Sequence, residues 1–188
     1  MKMSDSFEEF VRKQTEQKKE MQNANTQFSK ERELETWAQH LAELYEIVER
    51  ALRTYIEAGS ISTAYRTKRI MEEFSGPYDA KEMVITIGLV NVVLEPIGTM
   101  LIGTKGRVDI KGPRGRASLV LIRKGVHTAR DLISISISVD GTPPPSPKPK
   151  FSENDPWIWK ISGNPPEMRF DDLTDERFLA LLLKVANG

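Results

Sequence analysis

The stretch that decides the fold is MVITIGLVNVVLEP, residues 83–96. It is rich in β-branched residues and Gly88 interrupts it, so the pattern predicts two strands joined by a turn near that glycine. Later runs of the chain have the same character, with apolar side chains alternating between turn residues. Further strands are predicted at residues 99–102, 107–110, 117–122, 131–139 and 157–161, with a Gly-Pro-Arg-Gly turn at 112–115.

The spacing of these strands indicates how they are connected. The strands follow one another closely and no strand–helix–strand pattern is present, so we expect an antiparallel sheet of five to seven strands. Residues 61–74 are compatible with either a strand or a helix. A short final helix is predicted at residues 175–186, with Thr174 as its cap. The predicted fold class is therefore α+β, with a long N-terminal helix preceding the sheet.

The chain before the sheet has a helical composition. Residues 5–58 contain neither Gly nor Pro and are rich in Glu, Gln, Lys, Ala and Leu, which lose little side-chain freedom in a helix. Residues 1–28 form a polar arm, which we expect to be a frayed helix or partly disordered. An amphipathic helix follows at residues 29–60. Residues 61–188 are the α+β domain, which includes a Pro-rich spacer at residues 142–150.

The amphipathic helix carries a stripe of apolar side chains. Its members recur with spacings of three and four, the pattern of a coiled-coil seam, and they are Leu34, Trp37, Leu41, Leu44 and Val48. Two interpretations remain open. The stripe covers the protein's own sheet, which its broad apolar flank favours, or it contacts a second copy of the chain. We take these five residues as the candidate self-association surface and expect a homo-oligomer.

Basic residues are concentrated in the middle of the chain. The formal net charge is zero, yet residues 105–130 carry eight basic side chains against one acidic side chain, Asp109. A β-hairpin with this charge is a candidate site for nucleic acid or another polyanion, and its residues are Lys105, Arg107, Lys111, Arg114, Arg116, Arg123 and Lys124. The neutral net charge and the lack of an interleaved aromatic side chain favour salt bridges to the acidic ends of the chain instead.

The sequence assembles no recognisable catalytic or cofactor site. The two histidines, His40 and His127, lack zinc-ligand spacing, and the chain has no cysteine. The segment 98–105 departs from a phosphate-binding loop because its Thr and Lys stand in reverse order. The carboxylates at residues 171–176 are explained as the acidic start of the final helix. We therefore predict no catalytic residue, no cofactor and no metal.

Composition also restricts location and function class. The first residues have no apolar stretch, and the longest apolar run, residues 83–94, is too short to cross a bilayer. We expect no membrane association and, by default, a cytoplasmic protein. The predicted function is a non-enzymatic protein–protein interaction or scaffold module that self-associates through its N-terminal helix and binds protein partners of unknown identity. The alternative is nucleic-acid or polyanion binding through the basic hairpin, residues 105–130.

Overall fold

The computed structural model describes residues 3–99, 103–132, 154–164 and 168–188. The chain comprises two compact units, Met1–Gln39 and His40–Gly188. Helix α1, Met3–Glu57, contains the described part of the first unit and continues into the second. It ends because Gly59 adopts a positive φ of 72°, which lets its N–H donate to the carbonyl of Ile56 and the N–H of Ser60 donate to that of Tyr55.

The first unit is helical throughout its described residues. Side chains are described at residues 9, 11–19 and 26–39, and they are exposed except for those of Lys30, Leu34, Thr36 and Trp37. The helix includes residues 3–28 of the polar arm. The boundary between the compact units follows residue 39, within the segment predicted as one amphipathic helix.

The second unit is built on one antiparallel sheet. Strands that are consecutive in the chain pair with each other, so the seven described strands form a meander. The strands are β1 (Ile61–Glu72), β2 (Gly76–Ile87), β3 (Val90–Gly98), β4 (Gly106–Lys111), β5 (Arg116–Arg123), β6 (Trp157–Ser162) and β7 (Phe170–Asp172). A short 3₁₀ helix, Ala129–Leu132, follows β5, and helix α2, Asp175–Asn187, follows β7.

One face of the sheet carries the main core. Met83 lies opposite Leu94, and Leu94 lies opposite Ile110 on the next strand. All three side chains are fully buried. Because side chains alternate between the two faces of a strand, their neighbours at every second position point the same way. Ile85, Val92 and Val108 are buried at such positions, and Leu119 and Leu121 of β5 are buried on the same face through the pairing of β4 with β5.

Two helical segments pack on this face. In the part of α1 that belongs to the second unit, the hydroxyl of Tyr45 donates to the carbonyl of Lys81 at 2.5 Å. The indole Nε1 of Trp159 donates to the carbonyl of His40 at 2.9 Å. Helix α2 buries Phe178, Leu182 and Val185, three positions that share one side of a helix.

The other face of the sheet is mostly charged and carries a second, smaller core at one end. That core consists of Val120, Ile122, Val126 and Phe170, with the half-buried Leu132 packed against it. Because Val120 and Ile122 point away from the main core, β5 is apolar on both faces. This explains the continuous apolar run from Leu119 to Ile122.

The predicted fold class is confirmed, with seven antiparallel strands among the described residues. The ambiguous segment 61–74 forms a strand as far as Glu72, and the final helix has its N-cap at Thr174, whose hydroxyl accepts from Arg177 N–H at 3.3 Å. The strand predicted at 131–139 is wrong at its start, because Asp131 and Leu132 complete the 3₁₀ helix. Residues 133–139, the spacer at 142–150 and most of the strand predicted at 99–102 lie outside the described residues.

Among the helices of the described segments, none is both long enough and apolar enough to cross a bilayer.

Candidate interaction surfaces

Four of the five side chains in the apolar stripe of α1 are buried, and the fifth is half-buried. Leu41, Leu44 and Val48 belong to the second unit and are at most 3% exposed. In the first unit, Trp37 is 2% exposed and Leu34 is half-buried. The stripe therefore contributes three side chains to the chain's own core. This agrees with the interpretation that the stripe covers the protein's own sheet. Self-association through these residues stays a prediction, and any such contact has to use other side chains of α1 as well.

Two residues of the basic hairpin are held in ion pairs on the charged face of the sheet. The guanidinium of Arg107 contacts Asp109, with Nε and Oδ1 2.6 Å apart, and the hydroxyl of Ser118 donates to the same carboxylate at 2.9 Å. Lys111 pairs with Glu95, which also contacts Lys68 at 2.6 Å. The acidic partners are therefore on the sheet itself, and not at the ends of the chain.

The turn of the basic hairpin has a structural role. The backbone N–H of Arg114 donates to the carbonyl of Val185 at 3.0 Å, in the last turn of α2. A side chain at Gly112 would collide with that same carbonyl oxygen, so only glycine fits there. The side chains of Arg114 and Arg116 are exposed. The turn therefore satisfies a helix-end carbonyl while leaving two cationic side chains in solvent.

An aromatic side chain lies beside two other residues of the basic hairpin. The ring centroid of Trp157, on β6, is 5.0 Å from Lys105 Nζ and 4.3 Å from Arg123 Cζ. Arg123 also donates to the carbonyl of Asp155. These are cation–π contacts. Sequence reasoning missed them because Trp157 lies 34 residues beyond Arg123 and reaches it through the pairing of β5 with β6.

Lys160 is a fully buried cation whose partners explain its burial. Its Nζ donates to the carbonyl oxygens of Lys124 and Val126 at 2.9 and 2.8 Å, and lies 3.2 Å from Oδ1 of Asp172. His127, which is exposed, has its Nδ1 3.5 Å from the same Nζ. These contacts meet the requirement that a buried charge be paired and hydrogen-bonded. Lys160 thus fixes the loop after β5 onto β6.

Two carboxylates from the segments considered for catalysis or metal binding, Asp131 and Asp175, have partners within the chain. One carboxylate oxygen of Asp131 accepts from the backbone N–H groups of His127 and Thr128, at 3.1 and 2.8 Å. Asp175 pairs with Arg50 in α1. Within the described ranges, no three His, Cys, Asp or Glu side chains are grouped as metal ligands.

A surface that sequence reasoning did not identify lies between α1 and β1. It is an open groove of about 610 Å³ with mixed charge. The residues that line it are Glu46, Glu49, Arg50, Arg53, Ile56 and Glu57 of α1 and Thr63 of β1. Because it is formed by a helix face and a strand brought together by the Gly59 turn, no local sequence pattern marks it.

The electrostatics of this groove are dominated by carboxylates. The hydroxyl of Tyr65 donates to Glu49 at 2.7 Å, and burial, this hydrogen bond and the charges of Glu49 and Glu46 raise the pKa of Tyr65 above its ordinary value. The guanidinium of Arg50 is paired with Asp175, Nη2 and Oδ1 being 2.9 Å apart. The groove therefore has three glutamates against two arginines, and Asp175 neutralises the charge of one of these, Arg50. The net charge of the groove is negative.

The fold and these surfaces define the protein only as an α+β protein built on an antiparallel meander. No protein-family model matches the chain, and neither a curated protein nor a solved structure matches it.

Proposed function

We propose that the chain is a non-enzymatic protein–protein interaction module that self-associates through its N-terminal helix. The observation that supports this is the exposure of the first unit. Large apolar side chains stand in solvent there, Phe28 at 61% and Val11 at 45% exposed. Apolar side chains this exposed add little to the stability of a helix, because tertiary packing supplies most helical stability. A second copy of the helix provides that packing.

The contact is assigned to the part of α1 that precedes the main core. Leu41, Leu44 and Val48 are already buried within one chain, so a second copy can bury little more of their surface. Phe28, 61% exposed, and the half-buried Leu34 lie on the same helix. Phe28 is of an aromatic type that is enriched at protein interfaces, and Leu34 adds apolar area that a second copy can bury.

Substitution at these two positions tests the proposal. The Phe28→Glu/Leu34→Glu variant should be monomeric, because a buried carboxylate in the interface has no partner. The matched control is Gln27→Glu/Gln39→Glu, which adds the same charge at two exposed positions of the helix and should leave self-association unchanged. Light scattering on each protein, combined with circular dichroism to verify folding, measures the outcome.

Polyanion binding through the basic hairpin is the second candidate. The observation that favours it is the contact of Trp157 with two cationic residues, Lys105 and Arg123, since nucleic-acid sites combine cations with stacking aromatics. The ion pairs of Arg107 and Lys111 weaken it. If it operates, affinity for single-stranded DNA should fall steeply with salt, and Trp157→Ala should abolish binding.

A further inference from the structure

Strand β1 is the edge strand of the sheet that the described residues form. It is the first strand of the meander, and none of the described residues pairs with its outer side. Six of the eight residues from 62 to 69 are exposed, and the other two are half-buried. An open edge presents a row of backbone N–H and C=O groups, and the ligand that matches such a row is another extended chain.

The acidic groove lies directly beside this edge. Thr63 of β1 lines it, and Tyr65, two residues further along the same face, hydrogen-bonds to Glu49 on the opposite wall. A strand added to β1 would direct every second side chain to this side of the sheet. The carboxylates of Glu46, Glu49 and Glu57 favour cationic side chains at those positions.

We propose that the β1 edge and the adjoining groove bind an extended polypeptide segment of another protein by strand addition, with lysine or arginine at alternate positions facing the three glutamates. Backbone hydrogen bonds to β1 supply binding that does not depend on sequence. The groove supplies the preference for basic side chains. This surface lies in the second unit and does not rest on the helix contact of the proposed function.

A second copy of the chain is a poorer occupant of the same edge. Strand β1 carries three basic side chains, Arg66, Lys68 and Arg69, against one acidic side chain, Glu72. Only Arg69 of these three is on the strand face that carries Thr63 and Tyr65, so a second β1 strand would present one cation to the groove and not cations at alternate positions. In the single chain all three cations are already paired, Arg66 with Glu82, Lys68 with Glu95 and Arg69 with Asp79.

The direct test is the binding of a fluorescent eight-residue peptide in which lysine alternates with threonine, followed by anisotropy on the full chain. A peptide with glutamate in place of lysine is the control. The lysine peptide should bind at least about tenfold more tightly, because the glutamate peptide places like charges together in the groove. Equal binding of the two peptides, or no binding of the lysine peptide, would overturn the proposal.

Two sets of variants locate the site. Ala64 and Thr67 are three residues apart on β1, so their backbone N–H groups point to opposite sides of the strand. In one of the two variants, Ala64→Pro or Thr67→Pro, the proline therefore removes an N–H from the outer edge. That variant should keep its melting temperature and lose peptide binding. The Glu46→Gln/Glu57→Gln variant should bind the lysine peptide roughly fivefold more weakly. Its charge-matched control is Glu31→Gln/Glu35→Gln, at exposed positions of α1 outside the groove.

The outcomes separate this proposal from its alternatives. If a folded proline variant binds the lysine peptide like the wild type, the edge is not the site. If instead that variant converts a dimer to a monomer, the edge is occupied by a second copy and the assignment to another protein is wrong. The Phe28→Glu/Leu34→Glu variant should keep peptide binding whether or not the helix contact exists.

Discussion

Arg50 in α1 and Asp175 at the start of α2 form an ion pair, with Nη2 and Oδ1 2.9 Å apart. The two residues are 125 positions apart in the chain, and their contact links the two helical segments that cover the main core. The hydrogen bond from Arg50, aided by the positive charge, lowers the pKa of Asp175 below its ordinary value of 3.8. The stabilisation that this ion pair supplies therefore depends on pH.

We predict that Asp175→Asn lowers the melting temperature slightly at neutral pH, because both side chains of the pair are exposed and screened. The folded pKa is below the unfolded one, so the stabilisation is complete above pH 3.8 and is lost as the pH falls through the lowered value. Thermal unfolding of wild type and variant as a function of pH should show two curves that converge in acid. Curves that diverge in acid would contradict this.

The buried stripe of α1 gives a second prediction. Leu44 is fully buried, so Leu44→Ala should reduce the free energy of unfolding by about 2–5 kcal/mol through lost burial and the cavity it leaves. Thr54→Ala, at an exposed position of the same helix, should change it by less than about 0.5 kcal/mol. Urea unfolding measures both. A near-neutral Leu44→Ala would show that the segment does not pack on its own sheet.

Replacing the buried Lys160 should lower the free energy of unfolding. In Lys160→Met the carbonyl oxygens of Lys124 and Val126 lose their partner inside the protein, and we expect a loss of about 1–3 kcal/mol. Asp172→Asn removes only the partner whose side chain is 58% exposed and should have a much smaller effect. Equal losses for the two variants would mean that the carboxylate, and not the carbonyl pair, holds the lysine.

The cations of the basic hairpin should differ in how much they contribute to stability. Arg107→Ala/Lys111→Ala leaves the largely buried carboxylates of Asp109 and Glu95 without these partners, so the melting temperature should fall. Arg114→Ala/Arg116→Ala removes two exposed side chains and should leave it nearly unchanged. We expect neither protein, nor the wild type, to bind nucleic acid at physiological salt. Tight, salt-dependent binding by the wild type would favour the second candidate function.

Local patterns were sufficient for most of the fold. Gly88 and the alternating residues around it mark β2 and β3, and Thr174 marks the start of α2, because turns and caps depend on neighbouring residues. The segment 61–74 was ambiguous because its long polar side chains suit a helix as well as an edge strand. The start of the 131–139 prediction failed because the Asp131 carboxylate binds the N–H groups just before it and closes a turn.

The interaction surfaces depended on contacts between distant residues. The contact of Trp157 with Arg123 requires the pairing of β5 and β6. The acidic groove requires α1 to lie beside β1. The stripe of α1 has the spacing of a coiled-coil seam whether it meets a sheet or another helix, so its pattern alone did not reveal that Leu44 is buried within one chain.

Self-association through α1 is the central claim, and the molar mass of the full chain in solution tests it most directly. Light scattering should give a mass of at least twice 21.3 kDa that decreases on dilution, with the Phe28→Glu/Leu34→Glu variant remaining at 21.3 kDa while keeping its fold. A wild type that remains at 21.3 kDa at concentrations of roughly 100 µM, where even weak interfaces associate, would contradict the account.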